Sequence, residues 1–137
     1  MMTSSRLMAV SEKLKIPVYD FRMHNKKAFC MQNAIALDCK RIDTERERKK
    51  LLSEELGHVI QKAFYPLGDC CDDLKRPNIL KQERKAHDYS VRLQVPFCEL
   101  KGALQICQDD YELAEMLDVD LNVLSAAVEY YKRKGMI

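Results

Sequence analysis

The chain has no large excess of charge: 23 Lys and Arg against 21 Asp and Glu leave a net charge of +2. A balance that small does not by itself imply a nucleic-acid or membrane partner. No apolar run approaches the roughly 20 residues that span a bilayer. An apolar h-region of signal type is also missing, because Lys13 and Lys15 interrupt the one candidate stretch. A cytoplasmic protein without a membrane partner is expected. There is no C-x-x-C pair. Six cysteines could suggest a disulfide framework, yet Cys30 and Cys39 sit in apparent strands, Cys98 and Cys107 in an apparent helix, and Cys70 and Cys71 are adjacent in a turn region. Without a secretory signal, free thiols in a reducing compartment are the expectation. Internal repeats, low-complexity tracts and long linkers are absent too, so 137 residues predict one domain, 1–137, with its own core.

What is present reads as an α+β chain. Residues 4–15 suit a short helix with Ser4 or Ser5 as cap and Pro17 after its end. Residues 18–23 and 28–31 alternate apolar and polar, with His24-Asn25-Lys26-Lys27 as a turn between them, and 34–38 form a third strand. A small antiparallel three-stranded sheet packed against a helical bundle follows. Thr44 and Glu47 form a capping box, and Leu52, Leu56, Val59, Ile60 and Ala63 continue at helical spacing until Tyr65-Pro66-Leu67-Gly68. The charged run Glu45 to Lys50 reads as a solvated helix face. Pro77 opens a second long helix to about Val95. Three more helices fill 97–134: Pro96 to Cys107, then one capped by Asp109 or Asp110, then one capped by Asp120 and stopped by Gly135.

The chemistry concentrates at Ser53-Glu54-Glu55-Leu56-Gly57-His58. Glu54 and His58 lie four apart and share a helix face, with Glu55 about 100° round from Glu54. Two metal-capable side chains beside a carboxylate match the H-E-x-x-H helix of zinc peptidases, with Glu54 in place of the first His. On the next helix, Glu83 falls on the apolar stripe Ile79, Leu80, Ala86, Ser90 and Leu93, and His87 follows four residues on. A carboxylate on a buried face requires a cation, a proton or a metal; a salt bridge to a nearby Lys or Arg is the plainer alternative. Glu54, His58 and Glu83 could therefore converge on one divalent metal as three ligands with a fourth position for water, and Glu55 would be the general base. The strands would offer an edge to an extended peptide. Cys70 and Cys71 could be soft ligands, with reduced structural thiols the simpler reading.

Several segments together resemble the ImmA/IrrE family of metallopeptidases. They are Ile35-Ala36-Leu37-Asp38, the run from Thr44 to His58, and Lys81-Gln82-Glu83-Arg84-Lys85-Ala86 downstream. Val95-Pro96, Tyr111-Glu112-Leu113-Ala114-Glu115 and Tyr130 to Gly135 are similar to the phage and mobile-element branch, so the likeness spans roughly residues 17 to 135. The resemblance implies a gluzincin-like domain with a zincin-type active-site helix. It implies a metal-dependent endopeptidase, or a degenerate homologue, that cleaves or inactivates a helix-turn-helix repressor of a prophage or integrative element. The alternative is a catalytically inactive, antirepressor-like protein that binds the repressor on the same fold. By position, His58 and Glu83 fall on metal ligands, Glu55 on the catalytic base, and Glu54 where many members carry His.

The Glu54 departure has consequences. Two carboxylates and one imidazole would cancel the charge of a divalent ion and shift preference from zinc toward Mn²⁺ or Mg²⁺. Zinc remains the first expectation, with weaker binding and slower or absent hydrolysis. His87 could supply an imidazole, although a partly buried residue behind the ligands is the simpler role. Direct DNA binding is disfavoured. Residues 113–125 have a helix-turn-helix cadence, but the second helix starts Asp120-Leu121-Asn122-Val123-Leu124-Ser125, acidic and apolar where phosphates need cations.

Overall fold

The computed structural model describes residues 1–61 and 76–137, without the side chains of 76–79. Helix α1 (Ser4–Lys13) leads into strand β1 (Val18–Asp20), followed by β2 (Ala28–Met31) and β3 (Ala34–Leu37). Helices α2 (Glu45–Gln61), α3 (Arg76–Gln94), α4 (Phe97–Ile106), α5 (Asp110–Leu117) and α6 (Leu121–Arg133) complete the order. The expected end of α2 at 65–68, and Cys70 and Cys71, lie outside the described residues.

An α+β arrangement is present, but the sheet is mixed rather than antiparallel. Its order is β1-β3-β2, with β1 parallel to β3 and β2 antiparallel to it. Residues 21–27 do not close a hairpin. The Arg22 guanidinium donates to Asp20 at 2.6 Å and to buried Asp38 at 2.8 Å, and Met23 N donates to Asp38 at 3.1 Å. Arg41 donates to the carbonyls of Met23, His24 and Lys26. These bonds hold the segment out of the ladder, so β1 stops at Asp20. Burial then decides the centre: Ile35, Ala36 and Leu37 are all buried, whereas Tyr19 and Asp20 are exposed. Alternation specifies a strand without specifying which neighbour it takes.

Caps differ in detail from expectation. Thr3, not Ser4 or Ser5, caps α1 by accepting from Arg6 N. Ser4 instead donates from N and Oγ to the Glu45 carboxylate at 2.6 and 2.7 Å, tying α1 to the start of α2. Thr44 accepts from Glu47 N as expected, while the Glu47 carboxylate takes Lys27 at 2.6 Å. Asp109 caps α5; Asp120 stands before α6 without a side-chain cap bond.

Two buried clusters form the interior. One joins Leu7, Ile16, Ile35, Leu37, Leu52 and Leu56 beneath the sheet. The other gathers Val91, Val95 and Leu100 with residues of α5 and α6. The charged run at 45–50 is not simply solvated. Lys49 is fully buried, and its Nζ donates to Leu117 O at 2.9 Å and Met2 O at 3.3 Å. Leu117 ends α5, where the helix dipole favours a cation. Arg46 pairs with Asp118 at 3.0 Å and Glu115 at 3.3 Å. Among the described residues, no helix is long and apolar enough to cross a membrane.

Burial pushes the Lys49 ammonium below its ordinary 10.5. Between the folded value and 10.5 the unfolded chain binds the extra proton, so stability rises with pH across that window. Urea unfolding at successive alkaline pH values is expected to show this slope in the native chain and to lack it in Lys49→Met.

Candidate functional site

The site is built on the α2–α3 pair. Ser53 and Gly57, four apart on α2, are both buried, while Glu54 and His58 are turned a residue further round and are half-buried. A Cβ added at Gly57 would lie 2.5 Å from the Ala86 carbonyl oxygen and 3.5 Å from Ser90 N. Only a residue without a side chain lets α3 approach this closely. The approach puts Glu83 and His87 of α3 level with Glu54 and His58 of α2.

One cavity of about 250 Å³ results, lined by Glu54, His58, Glu83, Ala86, His87 and Ser90. All three expected ligands and His87 are therefore brought to one space. His58 Nδ1 and Glu83 Oε1 stand 3.9 Å apart. Two ligands each about 2.1 Å from a tetrahedral ion lie roughly 3.4 Å from one another, so this pair needs a closure of about half an ångström. In chemistry the donor set, imidazole and carboxylate, fits a divalent cation. In arrangement, no three His, Cys, Asp or Glu side chains gather as a ligand set among the described residues. The side chain of Glu83 is 39% exposed, so the buried-face argument for a metal at that position does not hold. The expected stripe holds only in part: Ala86 and Ser90 are buried and Leu93 half-buried, but Leu80 is 60% exposed, Val91 and Gln94 join the buried face, and the side chain of Ile79 lies outside those described. His87 is exposed at the rim rather than partly buried.

Glu55 does not line that cavity. It faces β2, with the Cys30 thiol near its carboxylate. Burial raises the Glu55 carboxyl above its ordinary 4.5, against the lowering influence of the Cys30 thiol and the nearby His58. Burial and the Glu55 charge push the Cys30 thiol up to about 12. A carboxylate of raised pKa is a better proton acceptor, as a general base requires. Sequence reasoning assigned Cys30 only a strand position. Gly57 did carry a signal, since a lone glycine inside a strong helix usually marks close packing. A larger cavity of about 630 Å³ between α1 and β1 has Glu12 and Lys15 as its charged lining and holds no comparable donor set.

Over residues 113–125, α5 and α6 are joined by a short turn through Asp118 at φ 53°. Asp118 and Asp120 face Arg46 at 3.0 and 3.9 Å, so the start of α6 is tied to α2. Comparison with protein-family models, with curated proteins and with solved structures finds no match.

Two outcomes follow from this geometry. Gly57→Ala must move α3 or bend α2, and a destabilisation of about 1–3 kcal/mol in urea unfolding is expected. In a carbon-detected NMR titration the Glu55 carboxyl is expected to titrate above 4.5 and to move further up in Cys30→Ala, which removes the thiol. Between 4.5 and the folded value the folded chain holds the extra proton, so this group's contribution to stability falls as pH rises through that window.

Proposed function

We propose that this chain is a metallopeptidase-type protein of the ImmA/IrrE kind that cleaves or inactivates a helix-turn-helix repressor of a prophage or integrative element. The observation that carries the reading is the cavity itself: Glu54 and His58 from one helix meet Glu83 and His87 from the next. The likeness of the Thr44–His58 and Lys81–Ala86 segments to that family supplies the substrate class. Glu54, His58 and Glu83 would hold one divalent cation, zinc before Mn²⁺ or Mg²⁺. When bound, such an ion polarises a scissile carbonyl and acidifies a water.

The chain's own residues have definable tasks in this reading. His58 and Glu83 already stand within 3.9 Å, so ordering them costs little movement. Glu55, one position from Glu54 and close enough to His58 to feel its charge, is the proton acceptor. To act there its carboxylate must turn from the Cys30 side toward the cavity. Among the described residues no strand pairs with the outer edge of β2, which lies beside α2 and would offer its backbone groups to an extended substrate.

A second reading has its own support. Glu55 is engaged with β2 rather than the cavity, and Glu54 stands where an imidazole would strengthen the metal site. A protein that binds the repressor without cutting it fits these two facts.

Elemental analysis of the full chain, purified without added metal and then titrated with Zn²⁺, tests the first reading. One ion per chain is expected, with affinity falling at least tenfold in His58→Ala and rising in Glu54→His. No uptake of Zn²⁺, Mn²⁺ or Mg²⁺ would overturn it. Incubation with the repressor of the same genetic element separates the two readings. Fragments that disappear with Glu55→Gln mark hydrolysis, and intact repressor in a stoichiometric complex marks binding alone.

A further inference from the structure

A second cavity, of about 390 Å³, lies between α3 and α6 near the chain's C-terminal end. Its walls include Tyr89, Arg92, Pro96, Phe97, Tyr130 and Met136. On α3, at 100° per residue, Tyr89, Arg92 and Leu93 sit roughly a third of a turn from Glu83, Ala86, His87 and Ser90. The two cavities therefore flank different faces of one helix and share no lining residue.

Arg92 lines this second space, and two further cations, Arg133 and Lys134, lie over the Tyr130 ring that forms part of its wall. The guanidinium carbons of Arg92 and Arg133 lie 5.9 and 5.5 Å from the centroid of the Tyr130 ring, and Lys134 Nζ lies 5.8 Å from it. Arg92 also stands 5.1 Å over Tyr89. Like charges this close repel at physiological salt, where the screening length is about 8 Å. Asp88 compensates Arg133 at 3.0 Å. Arg92 and Lys134 have no carboxylate within ion-pair distance among the described residues. Cation–π attraction offsets part of the repulsion and leaves the net positive charge in place.

The aromatic walls are held in position. Tyr131 is buried, donates its hydroxyl to Val95 O at 2.7 Å, and packs against Phe97 and Tyr130 with both centroid distances at 5.2 Å. Phe97 and Tyr89 remain half-buried, and both line the cavity. Stacking surface and the uncompensated Arg92 in one cavity of ligand size, with Lys134 beside its Tyr130 wall, select a planar aromatic group that carries an anion.

We infer that the α3–α6 cavity binds a nucleoside phosphate. The base stacks on the Arg92 plane and the Tyr89 or Phe97 ring, and the phosphate meets Lys134 and Arg133. The source is either a free mononucleotide or a nucleotide of a single strand, which present the same chemistry. This inference does not rest on the metal reading of the other cavity.

The test is calorimetric titration of the full chain with adenosine 5′-monophosphate, adenosine, inorganic phosphate and an adenylate decamer. The monophosphate is expected to bind at least tenfold more tightly than adenosine or phosphate alone. Arg92→Gln, Lys134→Gln and Tyr89→Ala are each expected to weaken it at least fivefold, while His58→Ala leaves it unchanged. Arg92 and Lys134 are exposed, and thermal unfolding of their variants is expected to match the native chain. A decamer that binds more tightly per site supports the strand as source, and equal affinity supports the free nucleotide. Phosphate binding as strong as the monophosphate, monophosphate binding indifferent to Arg92→Gln, or no binding at millimolar concentration would each overturn the proposal.

Discussion

Contact between α2 and α3 at Gly57 is the constraint on which the rest depends. A carbonyl oxygen of Ala86 occupies the place a side chain would take. With any larger residue the two helices separate, and the cavity lined by Glu54, His58, Glu83 and His87 opens with them. Backbone-to-backbone approach fixes the relative height and roll of two helices more tightly than interleaved long side chains do, because no rotamer can absorb the difference. The small faces on both partners agree with this: Ser53 and Gly57 on α2, Ala86 and Ser90 on α3, all buried. Functional side chains then sit on the flank of a stiff joint, half-exposed and free to adjust by fractions of an ångström.

Much of this joint was legible in the sequence. The helical spacing of Leu52, Leu56 and Val59, and the Glu54–His58 pair, follow from the 3.6-residue period alone. Placement of Glu83 and His87 at the same level required knowing which faces of α2 and α3 meet. The stripe expected on α3 holds at Ala86 and Ser90 and fails at its ends: Leu80 is apolar and exposed, whereas Gln94 is polar and buried. Side-chain polarity is a poor guide where a helix buries its backbone against another helix. The sheet failed for a related reason. Alternation in 18–20, 28–31 and 34–37 identified strands, but the partner of β1 was set by Asp38, a buried carboxylate that gathers Arg22 and Met23 N and pulls the following segment out of register. A single buried charge thus overrode the shortest turn. Lys49 is the same lesson in α2, where a run of charge conceals one residue that is fully enclosed.

Buried charge also links the two apolar clusters. Lys49 reaches from α2 to the carbonyl at the end of α5, and to Met2 ahead of α1. Arg46, one turn away, holds Asp118 and Glu115. The Asp118 residue sits in the left-handed region at φ 53°, where a non-glycine residue carries strain unless its side chain is held. Arg46 holds it, so the turn between α5 and α6 owes its shape to a helix far away in sequence. For that reason the α5–α6 pair is not independent of α2: the acidic turn between them, Asp118 and Asp120, is engaged with Arg46.

Helix α3 therefore has three separate duties along one length. One face meets α2 with almost no side chain between the backbones. A second presents carboxylate and imidazole to a small polar cavity. A third presents Tyr89 and Arg92 to a cavity of opposite character, aromatic and cationic. Oppositely charged cavities on one rigid element can be occupied at the same time without repulsion, and each bound charge stabilises the other only weakly across the helix. Gly57 leaves no slack for α3 to roll against α2, so the 3.9 Å separation of His58 and Glu83 closes by side-chain adjustment rather than by movement of the helix.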